Sequence, residues 1–183
     1  MKDIIAEIVV GGIDERLCQQ AEKEVVLLAD CASKIQNGVI VEIGRRKGGS
    51  LLVLCSYSPT SKVYSIDSQA TYDDSIIKLL EKHDIGKDRY ELIVNHSQEI
   101  RTWAEPIDLL FIDGNHLYNA AYRDLETWIP RVKVGGFVIM HDICAGLHTK
   151  MPGPTEAITK YLSLGTSLKK INQVLTSLLL VKS

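Results

Sequence analysis

The chain has 183 residues, of which 45% are hydrophobic and 24% are charged, and its formal net charge at pH 7 is −2. These are ordinary values for one globular domain spanning residues 1–183, and the charge argues against a broad surface for nucleic acid or acidic membranes. The apolar runs are too short to span a bilayer, the N-terminus has no signal-peptide core, and the four cysteines lack CxxC or zinc-site spacing. We therefore expect a cytoplasmic protein with free thiols that binds neither nucleic acid nor a membrane.

The first predicted element is a long amphipathic helix in an N-terminal segment, residues 1–37, that packs on the domain. Its apolar stripe comprises Leu17, Ala21, Val25, Leu28, Ala32 and Ile35. The pair Asn37 and Gly38 is typical of a helix end. Cys18 and Cys31 are both expected on this helix, as buried thiols.

Five runs rich in Val, Ile, Leu and Phe come next and predict strands. They are Val39–Ile43, Val63–Asp67, Glu91–Val94, Ile107–Asp113 and Gly136–His141. Stripes with helical periodicity lie between them, from Ile76 to His83 and from Ala121 to Ile129. This alternation predicts βαβ units and a doubly wound parallel sheet.

The C-terminal part predicts a helix from about Thr155, as its N-cap, to Leu164. The runs Leu168–Val174 and Ser177–Lys182 follow so closely on one another that no helical crossover fits between them, so they are expected to be antiparallel neighbours. The fold class is therefore α/β, with a mostly parallel seven-stranded sheet and an antiparallel C-terminal strand. The loop Gly146–Pro154, with solvent-facing His148 and Lys150, is expected to be the most mobile segment.

A glycine turn follows the first strand in the segment VIVEIGRRKGGS, residues 39–50. Gly44 permits a tight turn, and Gly48 lets backbone approach a ligand at a helix N-terminus. Arg46 stands where a dinucleotide-binding loop places its second glycine, which argues against that class of site. A carboxylate at Glu42 would repel a pyrophosphate but attract an ammonium group. The pattern favours a methionine-bearing sulfonium nucleoside over a nicotinamide dinucleotide.

Other polar residues near this turn each allow two interpretations. The basic run at residues 45–47 is either a solvated loop or a set of ligand contacts, and Ser50 either binds a cofactor carboxylate or caps the helix. Asp67, at the end of the second strand, can accept hydrogen bonds from both ribose hydroxyls of a nucleoside. Ser97, after the third strand, either contacts an adenine ring or caps a helix.

Proton-active residues follow the fourth and fifth strands. Asp113 and His116 follow the fourth, and His141 and Asp142 end the fifth. Because ligand crevices of open α/β sheets lie at the carboxyl ends of strands, this set predicts a divalent cation beside a general base. In the alternative interpretation Asp113 belongs to a turn, His116 caps a helix and His141 is structural. Adjacent strand residues face opposite ways, so His141 and Asp142 can both ligate only if the strand breaks there, which makes Asp142 the safer ligand.

These motifs resemble those of the class I S-adenosylmethionine-dependent methyltransferases: VEIGxxxGGS, VYSID and FIDGNHLYxxxxxDLExWIPRVKVGGFVIMHD. The similarity covers about residues 39–142. It is greatest for the metal-dependent small-molecule O-methyltransferases, which include macrocin-type enzymes and cephalosporin-hydroxylase-like proteins, whereas catechol O-methyltransferases are more distant. The resemblance implies a Rossmann-like fold, S-adenosyl-L-methionine as cofactor, and a divalent cation, Mg²⁺ or Mn²⁺.

The resemblance also implies roles for individual residues. Those expected at the cofactor are Glu42, Gly44, Arg46, Gly48, Ser50, Asp67, Ser97 and Asp113. Asp67 would bind the ribose, and Ser97 would lie by the adenine. The expected cation ligands are Asp113, His141 and Asp142, although many relatives have an acidic residue at position 141. His116 falls where the relatives place their catalytic base, and a pKa near neutrality is expected for it.

The implied reaction transfers a methyl group to a hydroxyl of a small molecule, either a sugar or a diol-containing metabolite. Three alternatives stay open. They are a methyltransferase-like protein that binds cofactor without turnover, an NAD-linked oxidoreductase, and a metal-independent methyltransferase that uses His116 alone. A partner in a homodimer could complete the acceptor pocket, although no sequence feature indicates one.

Overall fold

The structure, a computed structural model, describes residues 2–10, 16–144 and 152–183. Most of the predicted mobile loop Gly146–Pro154, including His148 and Lys150, lies outside the described residues. Within the described ranges, no helix is both long enough and apolar enough to cross a membrane.

Seven strands form one sheet in the described part of the chain. They are β1 (Val39–Ile43), β2 (Lys62–Asp67), β3 (Tyr90–Val94), β4 (Ile107–Ile112), β5 (Val132–Met140), β6 (Leu168–Val174) and β7 (Ser177–Lys182). Their order across the sheet is β3-β2-β1-β4-β5-β7-β6. Strands β1 to β5 are parallel, and β7 runs antiparallel between β5 and β6. The predicted mostly parallel seven-stranded sheet with an antiparallel C-terminal strand is confirmed.

The sheet has a topological switch point between β1 and β4. The chain winds outward from β1 to β3 and then returns to place β4 on the other side of β1. In open α/β sheets the ligand crevice forms at such a point, outside the carboxyl ends of the strands. Because Ile43 pairs with Ile112, the residues that follow the two strands, Gly44 and Asp113, emerge side by side.

Helices cover both faces of the sheet. On one face lie α1 (Lys2–Val9), α2 (Glu22–Ser33), α3 (Gly49–Tyr57) and α4 (Asp73–Lys82), and on the other lie α5 (Tyr118–Trp128) and α6 (Gly153–Ser163). Three short 3₁₀ helices span Lys87–Arg89, Ser97–Glu99 and Ile129–Arg131. The apolar strand centres are buried between the two helical layers, as expected for parallel strands covered on both faces.

The predicted N-terminal helix is wrong at its start. Helix α2 begins at Glu22, so Leu17 and Cys18 precede it, and the sequence interpretation missed α1 altogether. Cys18 donates its backbone N–H to the carbonyl oxygen of Ile8 at 3.2 Å, and Leu17 accepts the N–H of Gly49 at 3.3 Å. These bonds tie the segment before α2 to α1 and to the start of α3. All four cysteines are free, and three of them are buried.

The predicted N-cap at Thr155 is also wrong. Helix α6 begins two residues earlier, at Gly153, and is preceded by Pro152. The Thr155 hydroxyl instead accepts the backbone N–H of Cys144 at 2.9 Å. It therefore fixes the chain that follows β5, next to the candidate site.

Candidate active site

A cavity of about 420 Å³ opens at the switch point. Its walls come from the loops that follow β1 to β4 and from the segment before α2, and they include Leu17, Gln20, Gly44, Arg46, Ser50, Asp67, Ser97, Asp113 and His116. The topology thus brings most of the residues singled out in the sequence into one site. The predicted site residues Glu42, Gly48, His141 and Asp142 are not in the wall.

The Gly44 turn lies against the loop after β4. Gly44 has φ of +89°, and a Cβ built on it would lie 2.7 Å from the carbonyl carbon of Asp113. Only glycine fits both the left-handed conformation and this close approach of two backbones. At Gly48, with φ of +82°, a Cβ would lie 2.7 Å from the side chain of Ile76, so glycine also lets α4 pack closely here.

The basic run after Gly44 contains one buried cation. Arg45 is 2% exposed, and its guanidinium donates two hydrogen bonds of 2.8 Å to the Asp73 carboxylate. It also donates to the carbonyl oxygens of Ser65 and Ile93, each at 2.9 Å. Arg45 is therefore a buried structural clamp at the cavity wall, and the solvated-loop interpretation is wrong for it. Arg46 is exposed and lines the cavity.

The Asp67 carboxylate is fixed at the end of β2 by backbone donors. Its Oδ2 accepts the N–H of Arg45 at 3.0 Å and of Arg46 at 3.1 Å, and its Oδ1 accepts the N–H of Gln69 at 3.1 Å. This arrangement presents a carboxylate of fixed orientation to the cavity.

Glu42 lies beneath the cavity rather than in its wall. Its side chain is fully buried and accepts hydrogen bonds from the hydroxyls of Ser50 and Ser65. Burial raises the pKa of Glu42 to about 7, against the opposing effect of those hydroxyls. Ser50 therefore links the buried carboxylate to the cavity, which it lines.

Ser97 lies in the cavity wall, in a 3₁₀ turn rather than at an α-helix N-cap. The turn spans Ser97–Glu99 with His96 as its N-cap. The Ser97 hydroxyl donates to Oδ1 of Asp124, a buried residue of α5 that also accepts from Gln98 at 2.8 Å. The hydroxyl is thereby oriented from below the cavity.

Asp113, His141 and Asp142 converge at the end of β4 and β5. Each offers one ligand atom, and these atoms lie within 4.8 Å of one another. Strand β5 ends at Met140, and Asp142 has φ of +58°. The backbone therefore leaves the strand conformation at the point that lets His141 and Asp142 face the same cluster. His141 Nδ1 lies 3.2 Å from Asp113 Oδ1 and 3.3 Å from Asp142 Oδ2.

The donor set of this cluster fits a cation. His141 Nδ1 is buried, yet among the described residues it has no aligned hydrogen-bond partner, although two carboxylate oxygens face it. A buried nitrogen without a hydrogen bond, with two carboxylate oxygens 3.2 and 3.3 Å away, is a set of atoms that one cation could bind. Two carboxylates and one imidazole suit a hard or intermediate divalent ion such as Mg²⁺ or Mn²⁺.

His116 lies beside this cluster. Its Nε2 is 2.9 Å from Asp142 Oδ2 and 3.8 Å from Asp113 Oδ1. The carboxylates of Asp113 and Asp142 raise the pKa of His116 to about 9, so the expected near-neutral pKa is wrong for the cation-free site. Burial opposes the charged form of His141, but Asp113, Asp142 and Glu24 outweigh it and raise its pKa to about 12. The two histidines hold the pKa of the Asp142 carboxyl well below its usual range.

Known proteins share this sequence pattern and fold. The model of a family described as a methyltransferase domain matches residues 41–143, more than half of the chain. The chain belongs to this methyltransferase family. Membership confirms the class I resemblance and favours a methyltransferase over an NAD-linked oxidoreductase.

Individual relatives agree with the family. The chain is 26% identical over 137 residues, 72% of its length and 32% of the relative, to 8-demethyl-8-(2-methoxy-alpha-L-rhamnosyl)-tetracenomycin-C 3'-O-methyltransferase from Streptomyces olivaceus. The O-methyltransferase NovP has a similar structure, with a TM-score of 0.77 and 14% identity over 100% of this chain and 88% of NovP. So does SMU.1697c, a putative methyltransferase from Streptococcus mutans in complex with SAH, with a TM-score of 0.66 and 17% identity over 87% of this chain and 97% of that one. The chain spans half or less of the length of the curated relatives that it matches first.

Two residues that the sequence interpretation missed contact the cluster in this methyltransferase domain. Gln20 Nε2 donates to Asp113 Oδ2, and its Oε1 faces the thiol of Cys18. Glu24, in the first turn of α2, lies 3.4 Å from His141 Nε2 through its Oε2. Neither contact could be recognised in the sequence, because the contacting residues are 93 and 117 positions apart.

Proposed function

We propose that this methyltransferase transfers a methyl group from S-adenosylmethionine to a hydroxyl of a small molecule, with the help of a divalent cation. One observation carries the proposal. Asp67, the candidate ribose ligand, and Asp113 line the same cavity, and the ligand atoms of Asp113, His141 and Asp142 lie within 4.8 Å of one another. The S. olivaceus relative, a 3'-O-methyltransferase of a rhamnosyl compound, favours a sugar or another vicinal diol as acceptor.

The cofactor would lie across the switch point. Asp67, held by three backbone N–H groups, would accept hydrogen bonds from the ribose hydroxyls. Ser97 would face the adenine, and the Gly44 turn would let the cofactor approach the backbone beside Asp113. Ser50, whose hydroxyl donates a hydrogen bond to Glu42, would orient the methionine end of the cofactor. S-adenosylmethionine supplies the methyl group.

The chain's own residues would prepare the acceptor. Asp113, His141 and Asp142 would hold the cation, which would lower the pKa of the acceptor hydroxyl and orient it. A cation held by these residues would oppose the effect of the Asp113 and Asp142 carboxylates, which raises the pKa of His116. His116 would take the hydroxyl proton, and Asp142, whose Oδ2 lies 2.9 Å from His116 Nε2, would stabilise the resulting imidazolium.

Binding is the first test. Calorimetric titration with S-adenosylmethionine and S-adenosylhomocysteine, with and without Mn²⁺, should show micromolar binding of both, and NAD⁺ should not bind. Binding of NAD⁺ alone would overturn the proposal. Binding of both sulfur nucleosides without turnover of any diol acceptor would favour a protein that only holds the cofactor.

The role of His116 needs a separate test. His116→Ala should lower turnover roughly a hundredfold or more, because proton transfer by a positioned base contributes on that order. Affinity for S-adenosylhomocysteine should stay close to the wild-type value. Full activity of this variant on a genuine acceptor would show that His116 is not the base.

A further inference from the structure

The segment at the start of α2 contacts two of the three candidate cation ligands from behind. Gln20 and Glu24 are both 5% exposed, and they lie on the side of the cluster that faces α2. The amide of Gln20 donates to Oδ2 of Asp113, while Oδ1 of the same carboxylate is the atom that lies 3.2 Å from His141 Nδ1. Gln20 therefore occupies one oxygen of Asp113 and leaves the other directed into the cluster.

Glu24 makes the corresponding contact with the imidazole ring of His141. Its Oε2 lies 3.4 Å from His141 Nε2, the ring nitrogen opposite the one that faces Asp113 and Asp142. When a cation displaces one proton from His141, a carboxylate at Nε2 keeps the remaining proton on that nitrogen and leaves Nδ1 as the ligand atom, as outer carboxylates commonly do for ligating histidines.

We propose that Gln20 and Glu24 are positioning residues that orient Asp113 and His141 for the cation. The inference rests on the cation site of the proposed function. It assigns to the N-terminal segment, which lies outside the residues matched by the family, a direct part in building that site.

A purely structural role for Glu24 is the competing explanation. Its Oε2 accepts the N–H of Ala21 at 2.9 Å, which caps α2. Its Oε1 accepts from Thr176, at 2.8 Å from the backbone N–H and 2.6 Å from the hydroxyl, which ties α2 to the turn between β6 and β7. Loss of these bonds would lower the stability of the cation-free protein but would not by itself change the cation affinity of the folded molecules. Cation affinity therefore separates the two roles.

The substitution Glu24→Gln tests the proposal. A glutamine has one acceptor oxygen and cannot serve both groups of donors around Glu24. If that oxygen keeps the Thr176 bonds, the NH₂ group faces His141 Nε2 and donates to it, which moves the ring proton to Nδ1 and blocks ligation. Mn²⁺ affinity, measured by electron paramagnetic resonance without S-adenosylmethionine, should fall roughly tenfold or more. Glu22→Gln removes the same charge from an exposed residue in the same helical turn and should leave Mn²⁺ affinity unchanged.

The outcomes are distinguishable. Thermal unfolding without Mn²⁺ shows whether each variant is folded. If Glu24→Gln does not fold, the same Mn²⁺ affinity measurement is made on Gln20→Ala, which frees Oδ2 of Asp113. If the wild type binds Mn²⁺ and the folded variant binds it equally well, the positioning role is overturned while the cation site stands. If the wild type binds S-adenosylhomocysteine but no Mn²⁺, the cation part of the proposed function fails and the positioning role fails with it.

Discussion

Asp124 gives the protein a pH dependence whose size can be worked out. The residue lies on α5 and is 1% exposed. Its Oδ1 accepts hydrogen bonds from Ser97 and Gln98, whereas its Oδ2 has no hydrogen-bond partner among the described residues. Burial raises the pKa of Asp124 from 3.8 to about 6, although the two hydrogen bonds oppose the rise.

The sign follows from comparing the folded and unfolded states. The folded protein binds the Asp124 proton more tightly, so its contribution to stability is fully present below pH 3.8 and is lost as the pH rises through about 6. A shift of about two units corresponds to about 3 kcal/mol, at 1.36 kcal/mol per unit. Asp124→Asn cannot ionise. Between pH 4 and pH 8, the free energy of unfolding of the wild type should therefore fall by about 2.5 kcal/mol relative to this variant, because part of the effect is already lost at pH 4.

Urea unfolding of the wild type and Asp124→Asn across this pH range measures the difference directly. The other ionisable groups are common to both proteins and cancel in the comparison. Glu126→Gln, which changes an exposed carboxylate on the same helix, is the control and should leave the pH dependence as it is in the wild type. A constant difference between the wild type and Asp124→Asn from pH 4 to pH 8 would refute the reasoning, since it would mean that burial does not favour the neutral carboxyl.

Two further predictions concern the loop after β1. Arg45→Met should lower the free energy of unfolding by about 3–5 kcal/mol, because it leaves Asp73 without its guanidinium partner in a largely buried pair. A loss below about 1 kcal/mol in urea unfolding would contradict this expectation. Gly44→Ala should weaken S-adenosylhomocysteine binding by calorimetry at least tenfold, since the added Cβ would push the Gly44 turn off the backbone of Asp113. Gly135→Ala is the matched control, because φ is +82° at Gly135 but a Cβ there would meet nothing within 4 Å. Its affinity for S-adenosylhomocysteine should equal that of the wild type. If both variants bound S-adenosylhomocysteine equally well, the close approach at Gly44 would not matter for binding.

The sequence predicts the sheet and the strand-end residues for one physical reason. A parallel strand covered on both faces must be apolar throughout, so the polar residue that ends each run marks the edge of the sheet. All parallel strands end at the same edge, and this places Gly44, Asp67, Ser97 and Asp113 around one cavity without knowledge of any tertiary contact. The roles of Asp67 and Asp113 toward a ligand stay predictions.

Residues that act through a distant partner could not be found in this way. A run of three basic residues is usually solvated, and nothing local shows that Arg45 turns inward to meet Asp73, 28 residues later. Glu24 has the appearance of an ordinary acidic residue in the first turn of a helix, a position that favours negative charge. Its second set of contacts, to His141 and Thr176, exists only because the sheet brings the ends of β5 and β7 beneath α2.

The adjacent pair His141 and Asp142 shows how a local rule fails at a functional site. Strand alternation sends neighbouring side chains to opposite faces, so both can face one point only if the backbone leaves the strand. The structure does this by ending β5 at Met140 and placing Asp142 at φ +58°, a left-handed conformation that costs most residues about 1 kcal/mol and that aspartate tolerates better than most. Such strain persists only where the surroundings hold it. Here His116 and His141 hold the Asp142 carboxylate, at 2.9 and 3.3 Å, so the same contacts that shape the candidate cation site also stabilise the backbone conformation that makes it.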